Sequence, residues 1–96
     1  MNQVVYKYVL NSGRNWIQLP RGAEVLCCRE RCERITLWAL VDPAAELEER
    51  VFDVVPTGHQ FTRSEGEALT YLGTCLFLNG EFVLHAFEVR AKGGPE

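Results

Sequence analysis

Two stretches of this chain are apolar on both faces of an extended strand. In Arg34-Ile35-Thr36-Leu37-Trp38-Ala39-Leu40-Val41-Asp42, one face carries Ile35, Leu37, Ala39 and Val41, and the other carries Thr36, Trp38 and Leu40. In Glu81-Phe82-Val83-Leu84-His85-Ala86-Phe87-Glu88-Val89, Phe82, Leu84 and Ala86 point one way, and Val83, His85, Phe87 and Val89 the other. An antiparallel sheet with one solvated face alternates apolar and polar positions. These stretches do not, so both of their faces need cover. The expectation is that a second subunit supplies it, making a homo-oligomer, a dimer or higher.

The rest of the chain also reads as short strands. Residues 4–10 place Tyr6 and Tyr8 on one face and Val5, Lys7 and Val9 on the other. Asn11-Ser12-Gly13-Arg14-Asn15 has turn composition, and strands follow at 16–19 and 24–29. Asp42-Pro43 ends the strand that carries Trp38, because proline cannot donate into a ladder. Ala44-Ala45-Glu46-Leu47-Glu48-Glu49 favours helix but is too short to hold one, so a loop with at most one helical turn is expected. Further strands run over 50–55 and 70–78, the second joined to the last strand by Asn79-Gly80, a type I′ hairpin signal. The sum predicts an all-β fold, a small antiparallel sandwich or barrel-like domain of about seven strands. A single β domain over 1–90 and a flexible tail over 91–96 complete the layout.

Composition narrows the function classes. With 96 residues, 47% hydrophobic and 24% charged, the chain suits one folded domain. A net charge of −3 gathers no nucleic acid non-specifically, so no polymeric nucleic acid is expected as a partner. No apolar run is long enough to span a bilayer, and Met1-Asn2-Gln3-Val4-Val5-Tyr6-Lys7 lacks the pattern of a signal peptide. A cytoplasmic protein with no membrane contact is expected.

Candidate chemistry is sparse. Cys27 and Cys28 are adjacent in a strand and point to opposite faces, and no second pair has zinc-ribbon spacing, so free thiols and no metal are expected. Thr57-Gly58-His59 sits where a strand ends. Glycine there allows close approach of a ligand, and successive N–H groups can face an anion. His59 reads either as a ligand contact or as a turn residue bonded to a carbonyl. Arg50 and Arg21 are the cations assigned to this loop, and each also has glutamates to pair with in 46–49. Tyr6, Tyr8 and Trp38 suit stacking on a base and equally suit a core or an interface. No phosphate loop, His-Glu-x-x-His or Gly-x-Ser-x-Gly occurs, and no catalytic residue or cofactor is assigned.

Several stretches together carry a likeness: Tyr6-Lys7-Tyr8, Leu37-Trp38-Ala39-Leu40-Val41-Asp42-Pro43, Glu49-Arg50-Val51-Phe52, Thr57-Gly58-His59, Tyr71-Leu72-Gly73-Thr74 and His85-Ala86-Phe87-Glu88. The chain resembles a family of small uncharacterised β-rich proteins of tailed phages and prophages, over nearly its whole length. Gln60 departs from the proline expected after the histidine. The resemblance implies a phage-encoded accessory protein acting in the host cytoplasm. The leading expectation is a non-enzymatic, homo-oligomeric sponge for a small anionic or nucleotide-type ligand, such as a bacterial immune signal. Its site would use Thr57, Gly58, His59, Arg50, Arg21, Trp38, Tyr6 and Tyr8. The alternatives are an interaction protein that blocks a host protein through an apolar sheet face and, third, a small hydrolase acting on a nucleotide signal.

Overall fold

The computed structural model describes residues 2–62 and 64–91. Seven strands follow one another: β1 (Val4–Leu10), β2 (Gly13–Pro20), β3 (Glu24–Arg31), β4 (Arg34–Val41), β5 (Leu47–Pro56), β6 (Glu67–Phe77) and β7 (Phe82–Ala91). They form a three-stranded sheet in the order β1-β4-β3 and a four-stranded sheet in the order β2-β5-β7-β6. Every pairing is antiparallel. The expected all-β sandwich is therefore the observed fold. The tail expected from residue 91 lies outside the described residues, except for Ala91, which closes β7.

Alternation decides what lies between the sheets. Ile35, Leu37, Ala39 and Val41 of β4 face Phe52 and Val54 of β5 and Leu84 and Ala86 of β7 in one buried cluster. Two features lock the layers together. At the corner between β1 and β2, buried Asn15 donates from Nδ2 to the carbonyls of Asn11 (2.9 Å) and Gly13 (3.1 Å), while Asn11 N–H donates to Asn15 Oδ1 (2.8 Å). At the opposite side β3 lies on β6, and Gly73 is packed so closely that any side chain there would strike the Cys28 carbonyl. Cys28 and Cys75 meet at this contact as buried free thiols.

The connection between β5 and β6 explains half of the two-faced apolar pattern. Both strands flank β7 and run antiparallel to it, so the connecting residues described, 57–62 and 64–66, span the length of β7. They do so over the outer side of the sheet. Thr57 Oγ1 bonds His85 Nε2 at 2.6 Å, and the Phe61 ring packs on Phe87 with centroids 5.5 Å apart. Beside this strap Arg14 makes a bidentate pair with Asp53, at 2.7 and 2.8 Å. The outer face of β7 is thus covered by its own chain rather than by a second subunit. That removes the reason to expect oligomerisation from this strand.

Three local expectations change. Residues 47–49, read as part of a helix-favouring loop, open β5, because pairing with 18–20 of β2 outweighs their intrinsic preference. Strand β2 begins at Gly13, inside the stretch read as a turn. Asn79-Gly80 is not a two-residue hairpin turn: Phe77 pairs Phe82, leaving a loop over 78–81 with positive φ at Leu78, Asn79 and Gly80.

Candidate functional site

Strand register builds one face of the three-stranded sheet that no contiguous motif announces. Lys7 of β1 lies directly opposite Trp38 of β4, and Cys27 of β3 lies opposite Trp38 on its other side. The neighbouring rungs are Val5–Leu40–Glu24 and Val9–Thr36–Arg29. Directly opposed residues share a face, and Leu37 with Cys28 occupies the core side. Lys7, Trp38 and Arg29 therefore all face outward.

The β3–β4 hairpin extends this face. Its turn is only Cys32-Glu33, both at positive φ (52° and 62°), and Glu33 N–H donates to Glu30 Oε2 at 2.6 Å. So tight a turn fixes Arg31 opposite Arg34 on the last rung. By alternation both belong with Arg29 on the Trp38 side. Lys7, Arg29, Arg31 and Arg34 are exposed, and none is ion-paired among the described residues. Like charges directly opposite each other are destabilising, so the Arg31–Arg34 rung carries a cost that a bound anion would relieve. A shallow pocket bordered by Val5, Lys7 and Trp38 opens beside the indole, with Tyr6 and Tyr8 at its edge. In a chain of net charge −3, four cations thus run along one face from the indole to the hairpin, with one carboxylate, Glu24, on the rung beyond Trp38.

The residues expected to form a single site are dispersed. Arg50 lies in β5 and Thr57 just past its end, seven positions on, which is about 23 Å of extended chain. Arg50 is half-buried and committed: Nε and Nη2 hold the Glu88 carboxylate at 2.7 and 2.9 Å, and Nη1 donates to Ala23 O at 2.6 Å. Its guanidinium is held above its ordinary pKa by that hydrogen-bonded carboxylate. Arg21 is exposed at the same end of the sheet, 3.9 Å from both Glu46 and Glu48. Neither arginine reaches the Thr57-Gly58-His59 loop. His59 itself is exposed, and its N–H makes a long turn bond to Pro56 O at 3.4 Å. Tyr6 and Tyr8 pack edge to face, with centroids 6.5 Å apart, on the opposite side of β1 from Lys7. Burial raises the Tyr8 hydroxyl above its ordinary pKa. Of the expected residues, Trp38 alone lies on the basic face, with the two tyrosines bordering its edge.

A lone histidine on the apolar face of β7, His85 reads from sequence as a hydrogen-bonded core or interface residue; its partners, and an end groove, emerge only in the fold. His85 Nδ1 lies 3.1 Å from Thr74 Oγ1, which lies 2.5 Å from the Tyr71 hydroxyl, so a chain of four polar groups runs from Thr57 to Tyr71. An open groove of about 1000 Å³ lies at one end of the sandwich, between Val9, Ile35, Phe77 and Phe82, with Glu30, Glu33 and Arg34 at its rim. Its two carboxylates make it a poor seat for phosphate. Among the described residues no cluster of three or more metal-ligating side chains occurs. Burial pushes the Cys28 thiol up to about 12 and raises Cys75 as well, so neither is an activated nucleophile.

A family model matches residues 1–95. The chain belongs to the family described as Domain of unknown function (DUF7352). No curated protein and no solved structure matches it. The function of this DUF7352 chain must therefore be argued from its own side chains, and the Trp38 face is the surface where aromatic and cationic groups converge. None of its helices is long and apolar enough to cross a membrane among the described residues.

Proposed function

We propose that this chain is a non-enzymatic binder of a small anionic, nucleotide-type ligand, held against Trp38 on the outer face of the three-stranded sheet. The observation that carries this reading is the register that sets Lys7 beside Trp38 and gathers Arg29, Arg31 and Arg34 on the same face with no ion-pair partner among the described residues. An indole offers a stacking surface to any base, worth about 1–3 kcal/mol per base. Guanidinium groups match phosphate oxygens with a planar fork, and an ammonium adds a point charge. The role that fits the phage resemblance is sequestration of a nucleotide signal in the host cytoplasm.

Isothermal titration against ADP-ribose derivatives and cyclic nucleotides tests this. Lys7→Ala and Arg29→Ala are each expected to weaken binding about ten- to a hundredfold, the loss of one charge-assisted contact. His59→Ala should leave affinity unchanged. Absence of heat with every phosphate-bearing ligand would overturn the reading and favour an interaction protein that uses the same face against a host protein.

A further inference from the structure

Strand β1 is an edge. β4 pairs with it on one side, and no described strand lies on the other. Its side chains are unusually exposed for their type: Val4 is 39% exposed, Val5 53%, Tyr6 42% and Val9 42%. Its sequence is close to a palindrome. Val4-Val5-Tyr6-Lys7-Tyr8-Val9-Leu10 reads nearly the same in both directions about Lys7.

A palindrome matters at a sheet edge because antiparallel pairing across a two-fold axis runs one copy against its own reverse. Centred on Lys7, that pairing sets Tyr6 opposite the second copy's Tyr8, Val5 opposite its Val9, and Val4 opposite its Leu10. Tyrosine meets tyrosine and aliphatic meets aliphatic on every rung except the middle one. A slide of two residues, which keeps the same faces together and moves the axis to Tyr6, would set Tyr6 against itself and Lys7 against valine, losing the match. Aromatic and β-branched cross-strand pairs are favourable, and unpaired edge groups give the main-chain bonds. The central rung opposes this, since Lys7 would face a second Lys7. A lysine in an otherwise sticky edge is a known guard against pairing.

That guard lies on the same face as Trp38. We infer that β1 is an anion-gated self-pairing edge: two copies join antiparallel about Lys7, and a phosphate-bearing ligand seated over the two lysines removes the repulsion that keeps them apart. The anion link rests on the reading of the Trp38 face given above. The product is a continuous six-stranded sheet in the order β3-β4-β1-β1-β4-β3. Across its middle runs Trp38, Lys7, then the second copy's Lys7 and Trp38. The two indoles are three strand spacings apart, about 14 Å. Each copy completes the other's site, and the platform has two-fold symmetry. The ligand class that matches it carries two phosphates and two flat rings, as cyclic dinucleotides do.

Register-specific cross-linking tests the pairing. In a Cys27→Ser, Cys32→Ser background, Lys7→Cys places two new thiols directly opposite each other, within disulfide range. Oxidised glutathione should link most of this variant into dimers. With Lys7→Ala added so that the guard is absent in every variant, Val5→Cys alone should stay monomeric, and Val5→Cys with Val9→Cys should link. Equal cross-linking at position 5 and position 7 would overturn the register.

Sedimentation velocity of the native chain at tens of micromolar, with and without cyclic di-AMP, tests the link. The dimer fraction should rise severalfold with ligand, while Lys7→Ala should dimerise without it. Quenching of Trp38 alongside a monomer mass at every concentration would overturn self-pairing and leave the reading of the face standing. Cross-linking at position 7 with no response to any nucleotide would overturn the anion link together with that reading.

Discussion

Arg50 and buried Glu88 clasp each other across β5 and β7 in a partly buried bidentate pair, and Arg50 also ties the β3 approach through Ala23 O. The arginine that the sequence offered as a phosphate contact is thus a structural member of the core's edge. Removing Arg50 leaves the buried Glu88 carboxylate with only a longer contact to exposed Arg90, at 3.6 Å, a cost of about 3 kcal/mol, the low end for breaking a buried pair. Arg50→Ala is expected to lower the urea midpoint sharply. Arg21→Ala, which disturbs only exposed contacts, should leave it within about 0.5 kcal/mol.

The corner between the sheets depends on one side chain. Asn15→Ala removes the group that bonds the Asn11 and Gly13 carbonyls and, at 3.3 Å, the buried Phe52 carbonyl. A loss of about 1–3 kcal/mol is expected in denaturant unfolding. Asn15→Asp should be no milder, because a carboxylate cannot donate to those carbonyls.

Gly73 sets how closely β3 and β6 approach. Gly73→Ala must push the Cys28 backbone aside, and backbone cannot yield as a side-chain tip can. The expected effect is a loss of about 1–3 kcal/mol, the usual cost of overpacking, with slower migration if the sheets part. Substitution at exposed Gly58 meets no neighbouring atom, although its φ of 86° still disfavours a side chain.

Alkaline stability should follow the two buried thiols. The folded-state pKa of Cys28 is raised from 9.0 to about 12 by burial, and that of Cys75 is raised for the same reason. Below pH 9 both states hold these protons, so no pH dependence arises from them. Above it the unfolded chain releases them first, so stability falls as pH rises toward 12. Melting temperatures measured from pH 8 to 11 should decline, and the decline should be shallower in Cys28→Ala.

The all-β architecture was legible because two-residue alternation survives in most strands. Boundaries were misread where polar residues have tertiary tasks. Arg14 and Asn15 look like turn residues, yet they lie in β2 because one pairs Asp53 and the other staples the corner. Glu48 and Glu49 favour helix alone but are drawn into β5 by their partners in β2. The two-faced β7 was read correctly as needing cover. The source of that cover, the strap with Phe61 and Thr57, depends on β5 and β6 flanking β7, a pairing between distant segments.

The candidate site was harder to see for the same reason. Lys7, Arg29, Arg31, Arg34 and Trp38 share no motif, and β1 meets β4 only through long-range register. Net charge hid them, because the many carboxylates elsewhere leave the total at −3. Trp38 was named for its aromatic bulk, but its cationic neighbours were not. Arg50 and Arg21 were chosen by nearness in strand order, and the fold places both at the far end of β5 from Thr57.

The central claim is that a phosphate-bearing ligand sits on Trp38 beside Lys7. In a Trp16→Phe background Trp38 is the sole tryptophan, so its fluorescence reports this face alone. The decisive measurement is a nucleotide titration of that signal in the Trp16→Phe chain and with Lys7→Glu added. The account predicts saturable quenching that weakens at high salt and is lost when residue 7 carries a negative charge. Quenching that is the same in both proteins, or a Trp38 signal indifferent to every nucleotide while the fold stays intact, would contradict it.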